Sequence, residues 1–244
     1  HSVKFDAMIE CLSKIDSGDI VLLHGCCHNP CGADLNKQQW QQVRDVALKQ
    51  GFTVFIDLAY QGLGDGLEED VYGTRLLAES LPELIVVSSC SKNFGLYRER
   101  TGAMTLICDS EAATAVATTQ IAGAARAMYS MPPDHGAAIV QLILTNDVLR
   151  AEWDAELTEM RDRINGLRSQ FVKQIQSIGI EQDFSFIERE KGMFSFLGVN
   201  VDQVQTLVND YSIYLVNSSR INVAGINDSN IKYLANSLAT VLKA

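Results

Sequence analysis

Three short apolar runs, Ile20 to Leu23, Thr53 to Ile56 and Leu84 to Val87, each break off into a polar loop, with helix-patterned segments between them. Continuous apolar runs of this length suit buried strands of a parallel sheet. The segment after Asn36 puts Trp40, Val43, Ala47 and Leu48 on one helical face and meets Gly51, so a helix is expected from Asn36 to about Gln50. A second is expected from Asp70 to Ser80. The alternation predicts an α/β fold with a mostly parallel, doubly wound sheet. In such sheets ligands lie beyond the carboxyl ends of the strands, where the loops HGCCHNPCG (24–32), DLAYQG (57–62) and SSCSK (88–92) fall.

After another apolar run, Ala103 to Ile107, the chain changes character. Glu111 to Met128 reads as a small-residue helix stopped by Pro132 and Pro133, Asp134 to Leu144 as a helix, and Asp147 to Ile178 as one long amphipathic helix. Strands are expected at Met193–Leu197 and Ile213–Val216, and helices at Val201–Asp210 and Asn230–Leu242. A boundary within the long helix divides a large domain, 1–160 and incomplete at its N-terminal side, from a smaller C-terminal α/β domain, 161–244.

The formal charge of -10 and pI near 4.8 argue against a nucleic-acid or anionic-membrane partner. No apolar run reaches the length of a membrane span, so a soluble, cytoplasmic protein is expected. The six cysteines lack the spacing of a disulfide framework, which fits reduced thiols. Cys26, Cys27 and Cys31 with His24 and His28 lack paired C-x2-C knuckles, and Pro30 and Gly32 break any helix for a His pair, so no metal is expected. The sequence opens at His1 and enters a helical segment at once, which reads as the later part of a longer chain.

The loop after the third run carries most of the chemistry. Lys92 lies between two apolar strands with Ser89, Ser91 and Arg100 near it to bind an anion, the arrangement of a Schiff-base lysine facing a phosphorylated carbonyl compound; a solvated loop lysine is the plain alternative. Asp57 ends a strand at the ligand edge, where a carboxylate needs a cation such as a protonated pyridine nitrogen, unless it merely caps a turn. Asn29, held by the following Pro30, and Tyr60 suit hydrogen bonding to a phenolate-like oxygen, or else an Asx-turn and core packing. Arg220 suits bidentate capture of a carboxylate, or a surface ion pair, and Arg126 a second such role or a helix cap. Glu68, Glu69 and Asp70 read as an acidic helix start and no more, and GMFSFLG (192–198) as strand core.

Taken together, SSCSKNFGLYRERTGA, HNPCGADL, DLAYQGLGDGLEED, GMFSFLG and SRINVAG resemble, in order and spacing, the aspartate and aromatic branch of the fold-type I aminotransferases that depend on pyridoxal 5'-phosphate. The resemblance covers essentially the whole chain, as the C-terminal portion of such an enzyme. It implies that Lys92 forms an imine with the cofactor and serves as general base. Asp57 would pair with the ring nitrogen, Asn29 and Tyr60 would bond the phenolic oxygen, and Ser89, Ser91 and Arg100 would hold the phosphate. Arg220 and Asn29 would bind the substrate α-carboxylate. Arg126 would reach across a homodimer to the distal carboxylate in the neighbouring site.

The implied activity is ping-pong transfer of an amino group between aspartate, or a similar amino acid, and 2-oxoglutarate. An aromatic aminotransferase suits the same arginines, and a catalytically inert fragment that only binds a partner chain is the alternative from another class. Cys31 stands where the family commonly has threonine, and Ser219 where a glycine often precedes the arginine. The family's earlier half, with much of the phosphate cradle, has no counterpart in these residues, so little activity is expected of them alone.

Overall fold

The computed structural model describes residues 2–243. Helix α1 (Phe5–Leu12) leads to strand β1 (Ile20–His24), α2 (Lys37–Gln50) joins β1 to β2 (Thr53–Leu58), and α3 (Tyr72–Ser80) joins β2 to β3 (Leu84–Ser89). β1, β2 and β3 run parallel, with His24 opposite Asp57 and Asp57 opposite Val87. Strand β4 (Gly102–Ile107) returns antiparallel along β3 and sets Gly102 opposite Ser89. The result is a mixed α/β fold on a parallel-rich sheet, whose strand order follows the chain without reversal among the described residues.

Local chemistry accounts for the helix boundaries. Asn36 accepts from the Gln39 N–H while the Gln39 side chain accepts from the Asn36 N–H, and Gly51, at φ 76°, closes α2 in the left-handed region. Trp40, Val43 and Ala47 are buried, but Leu48 is 51% exposed. Each residue turns the helix by about 100°, so Leu48 falls past the edge of the stripe that Ala47 completes. Helix α3 comes close to α2 because it carries Gly73, where a Cβ would run into the Trp40 indole.

β2 is an inner strand, with Val54 and Ile56 fully buried. β1 departs from expectation: it is parallel, yet Ile20 and Leu22 are 62% and 58% exposed, because it is the outermost strand on its side and one face is uncovered among the described residues. Helix α4 (Glu111–Tyr129) buries no side chain, and α5 (His135–Thr145) buries only Gly136. No helix among the described residues is long and apolar enough to cross a membrane.

Helix α6 (Asp147–Ser177) is uninterrupted, and Asn146 caps it by accepting from the Val148 and Leu149 N–H groups. It packs on α5 and also on α7 (Phe186–Arg189) and α9 (Ile231–Lys243), so one helix serves both parts of the chain. A second, two-stranded sheet pairs β5 (Phe194–Phe196) antiparallel with β6 (Arg220–Asn222), and α8 (Val201–Tyr211) lies between them in sequence. The run Ile213–Val216, expected as a strand, joins no ladder among the described residues, and Tyr214 is 82% exposed. Its composition favours extended backbone, but a strand needs a neighbour to pair with. The strand lies four residues later, and Arg220 opens it as the first residue of β6.

Candidate active site

Three loops meet at the carboxyl edge of the parallel strands, and buried or half-buried side chains hold each in shape. Asp34 accepts from the Cys27 and His28 N–H groups at 2.6 and 2.8 Å, which folds back the loop that carries Asn29. The Asn29 N–H donates to His24 Nδ1 at 3.2 Å, and the Asn29–Pro30 peptide is cis. The loop after Asp57 is gathered by Asp70, whose carboxylate accepts from the N–H groups of Gly62, Gly64, Asp65 and Gly66. Asp70 is only 7% exposed, so its reading as no more than an acidic helix start is corrected: burial of a carboxylate is tolerable here because backbone donors surround it. The Lys92 loop is held by Trp153, whose Nε1 donates to the Asn93 carbonyl at 2.7 Å while its ring stacks on Phe94. Asn93 Nδ2 donates to the Gln61 carbonyl at 3.3 Å and so ties the Lys92 loop to the Tyr60 loop.

The reactive groups converge on Tyr60. Lys92 Nζ stands 4.4 Å from the centroid of the Tyr60 ring, and the Asn29 side chain acts on the Tyr60 phenol to lower its pKa. Arg220 Nη1 lies 3.4 Å from Asn29 Oδ1, and its guanidinium sits over the Phe194 ring at 4.9 Å. Phe194 in turn meets Tyr60 edge-on, with ring centroids 6.4 Å apart. Burial raises the Tyr60 phenol above its ordinary value, the charge of Asp57 adds to the rise, and the Asn29 hydrogen bond opposes it. Asp57, Lys92 and Arg220 are all half-buried, and none forms an ion pair among the described residues.

Ser89 and Ser91 flank the turn before Lys92: the Ser91 N–H donates to Ser89 Oγ at 3.1 Å, and Ser91 is buried. Arg100, at φ 52°, is exposed and donates to the Tyr97 carbonyl at 3.2 Å; it shares the β3–β4 connection with these serines without a hydrogen bond to either. Arg126 lies exposed in the last turn of α4, and no side-chain contact joins it to the Lys92 cluster among the described residues. Ser219, at φ 65°, fills the position before Arg220 in the left-handed region that a glycine would adopt more readily.

Phe194 was hidden in a run that reads as core strand, and Asp34, Asp70 and Trp153 act through folded contacts that no local pattern marks. The Cys26, Cys27 and Asp70 ligand atoms all lie within 4.8 Å of one another. The Asp70 oxygens are already occupied by backbone donors, and the hydrogen bond with Cys26 followed by burial pushes the Cys27 thiol well above its ordinary value. Two thiols beside a carboxylate already engaged by four backbone donors leave too few free ligands for a four-coordinate site.

A parallel-rich α/β sheet with a lysine, an aspartate and a tyrosine presented at its carboxyl edge defines the class, and the chain belongs to the aminotransferase class I and II family, whose model matches residues 1–238. It is 48% identical over 241 residues to the aspartate aminotransferase of Haemophilus influenzae, a match that covers 99% of this chain and 61% of that protein. The aromatic-amino-acid aminotransferase of Paracoccus denitrificans is 46% identical over the same shares. Among solved structures, the aromatic-amino-acid aminotransferase of Burkholderia pseudomallei, covalently bound to pyridoxal phosphate, superposes with a TM-score of 0.97 at 45% identity, over 99% of this chain and 60% of that one. A mitochondrial aspartate aminotransferase of Trypanosoma brucei gives a TM-score of 0.96 at 37% identity, over 98% and 63%. The chain thus spans about three fifths of the length of these relatives.

Proposed function

We propose that the protein, as its full gene product, transfers an amino group between aspartate or a similar amino acid and 2-oxoglutarate with pyridoxal 5'-phosphate. The observation that carries this reading is the trio Asp57, Lys92 and Arg220: an anion, an amine and a guanidinium, each half-buried and none in an ion pair among the described residues. Unpaired charges are costly to bury, so the set fits a ligand that brings a cation, a carbonyl and a carboxylate. Pyridoxal phosphate supplies a carbonyl that condenses with amines and a protonated pyridine ring that draws off electrons.

Asp57 keeps a ring nitrogen protonated. Tyr60 and Asn29 hold a phenolic oxygen, and Ser89, Ser91 and Arg100 hold a phosphate. Arg220, steadied by Phe194 and Asn29, orients the substrate through its α-carboxylate. With the cofactor bound, Lys92 Nζ would hold its carbonyl until an incoming amine displaces the lysine, and would then carry the proton from the substrate α-carbon to the former carbonyl carbon of the cofactor. Its position over the Tyr60 ring favours an amine near the phenol, which is a catalytic partner in this reading. Water would then release the oxo acid by hydrolysis, leaving the amino group on the cofactor, from which a second oxo acid would take it by the same steps in reverse.

The exposed Arg126 and the unburied α4 support a homodimer in which Arg126 serves the neighbouring site. The same reading divides the domains at 160/161 within α6 and places the protein in the cytoplasm. Relatives of both names at nearly equal identity favour a second substrate class, aromatic amino acids. The test is an amino-transfer assay of the full gene product with aspartate, phenylalanine and 2-oxoglutarate. Turnover with either amino acid that vanishes in Lys92→Ala supports the reading, and turnover that survives this change overturns it.

A further inference from the structure

We infer that Arg168, a residue of α6 remote from the reacting groups, is the positioning residue for Arg220; the inference rests on the proposed function only for what Arg220 binds. Arg168 is 1% exposed, and both of its terminal nitrogens donate to one segment, while Nε has no partner among the described residues. Nη1 donates to the Ile187 carbonyl at 3.0 Å and to Ser195 Oγ at 2.6 Å, while Nη2 donates to the carbonyls of Gly192 and Phe194 at 2.7 and 2.8 Å. Ser195 donates onward to the Glu190 carboxylate, which lies 3.7 Å from Arg168 Nη1.

That segment touches the site twice. The Lys191 N–H donates to the Gly32 carbonyl at 2.8 Å, next to the Asn29 loop, and the contact is close enough that a Cβ at Gly32 would lie 2.7 Å from the Phe194 carbonyl oxygen. Phe194 carries the Arg220 guanidinium on its ring and meets Tyr60 with its edge. Burial lowers the Arg168 affinity for its proton and raises that of Glu190, so the pair is held against a desolvation cost. Packing alone does not call for it, since well-packed apolar groups often replace buried ion pairs without loss. A planar fork that fixes the Gly192 and Phe194 carbonyls together sets where the Phe194 ring stands, and so where Arg220 and Asn29 meet.

The test uses the full gene product loaded with pyridoxal phosphate, as parent, Arg168→Met, Arg168→Lys, Ser195→Ala, Arg220→Lys and the double change Arg168→Met/Arg220→Lys. Calorimetry reads the affinity for succinate, a dicarboxylate with no amino group to give, and steady-state kinetics read KM and kcat for aspartate. Arg168→Met is expected to weaken succinate binding about fivefold or more and to raise KM alike, with Arg168→Lys recovering part and Ser195→Ala losing less. Added to Arg220→Lys, Arg168→Met should change affinity by less than about twofold, because the group it positions is already gone. The parent kcat should be kept within about threefold. Unchanged succinate affinity in Arg168→Met and Ser195→Ala, or an equal loss in the Arg220→Lys background, overturns the inference and leaves the proposed function intact. If Arg168→Met does not fold, Ser195→Ala in the two backgrounds decides. A parent that binds succinate without transferring amino groups overturns the proposed function, and affinity alone then decides this inference. A parent that binds no succinate overturns this inference, and the amino-transfer assay alone then decides the proposed function.

Discussion

Asn29 and Arg220, 191 positions apart in the chain, meet with Nη1 3.4 Å from Oδ1. The same Asn29 side chain lowers the pKa of the Tyr60 phenol, and the Asn29 backbone N–H is fixed by His24. One amide thus joins the phenol beside Lys92 to the guanidinium of the second sheet. In the proposed function it couples cofactor position to carboxylate capture.

Replacing Arg220 by lysine keeps the charge and removes the planar fork. The loss of a bidentate charged contact is worth about 1.5–3 kcal/mol, or roughly a 10- to 100-fold rise in KM for the amino acid. Steady-state kinetics of Arg220→Lys with aspartate would show it, and an unchanged KM would remove Arg220 from substrate binding.

Asp57→Asn preserves shape but leaves no charge to hold a pyridine nitrogen protonated. Because that charge acts on the bond rearrangement and not on substrate binding, kcat should fall on the order of 10²–10³-fold with KM altered far less. A full-rate Asp57→Asn enzyme would contradict the electron-sink assignment.

Asp70 accepts from four backbone N–H groups of the Tyr60 loop, and Asp70→Ala leaves those donors without a partner in a buried turn. Unfolding in urea should show a loss of about 3 kcal/mol or more, well beyond a surface change. Stability near the parent value would mean that the loop holds its form without the carboxylate.

Burial, followed by the neighbouring His24, lowers the His28 pKa below 6.5. The unfolded chain therefore binds the proton first as pH falls. The contribution of His28 is complete above 6.5 and is lost as pH drops from 6.5 through the lower folded value. Urea unfolding from pH 7.5 to 5 should show a shallower loss of stability in His28→Gln than in the parent. Equal slopes, or an NMR titration midpoint for His28 at or above 6.5, would refute it.

Much of this architecture was legible. The asparagine at 36, the glycine at 51 and the three apolar runs that end in polar loops are local signals, and each produced the element expected of it. The convergence of Asn29, Asp57, Tyr60 and Lys92 followed from strand order. Other features depend on who the neighbours are. Ile20 and Leu22 have the composition of an inner strand and lie exposed, and Ile213–Val216 has strand propensity and no pairing partner among the described residues. Asp70, Phe194 and Arg168 owe their roles to groups distant in sequence, so their own surroundings in the chain carry no sign of them.

The central claim is that Lys92 is the amine that captures the cofactor carbonyl. Incubating the full gene product with pyridoxal phosphate, reducing with borohydride and mapping the labelled peptide by mass tests it most directly. The account expects one pyridoxyl group per chain, confined to Lys92, and a spectral change on adding aspartate before reduction. Label spread over surface lysines, or undiminished in Lys92→Ala, would contradict it.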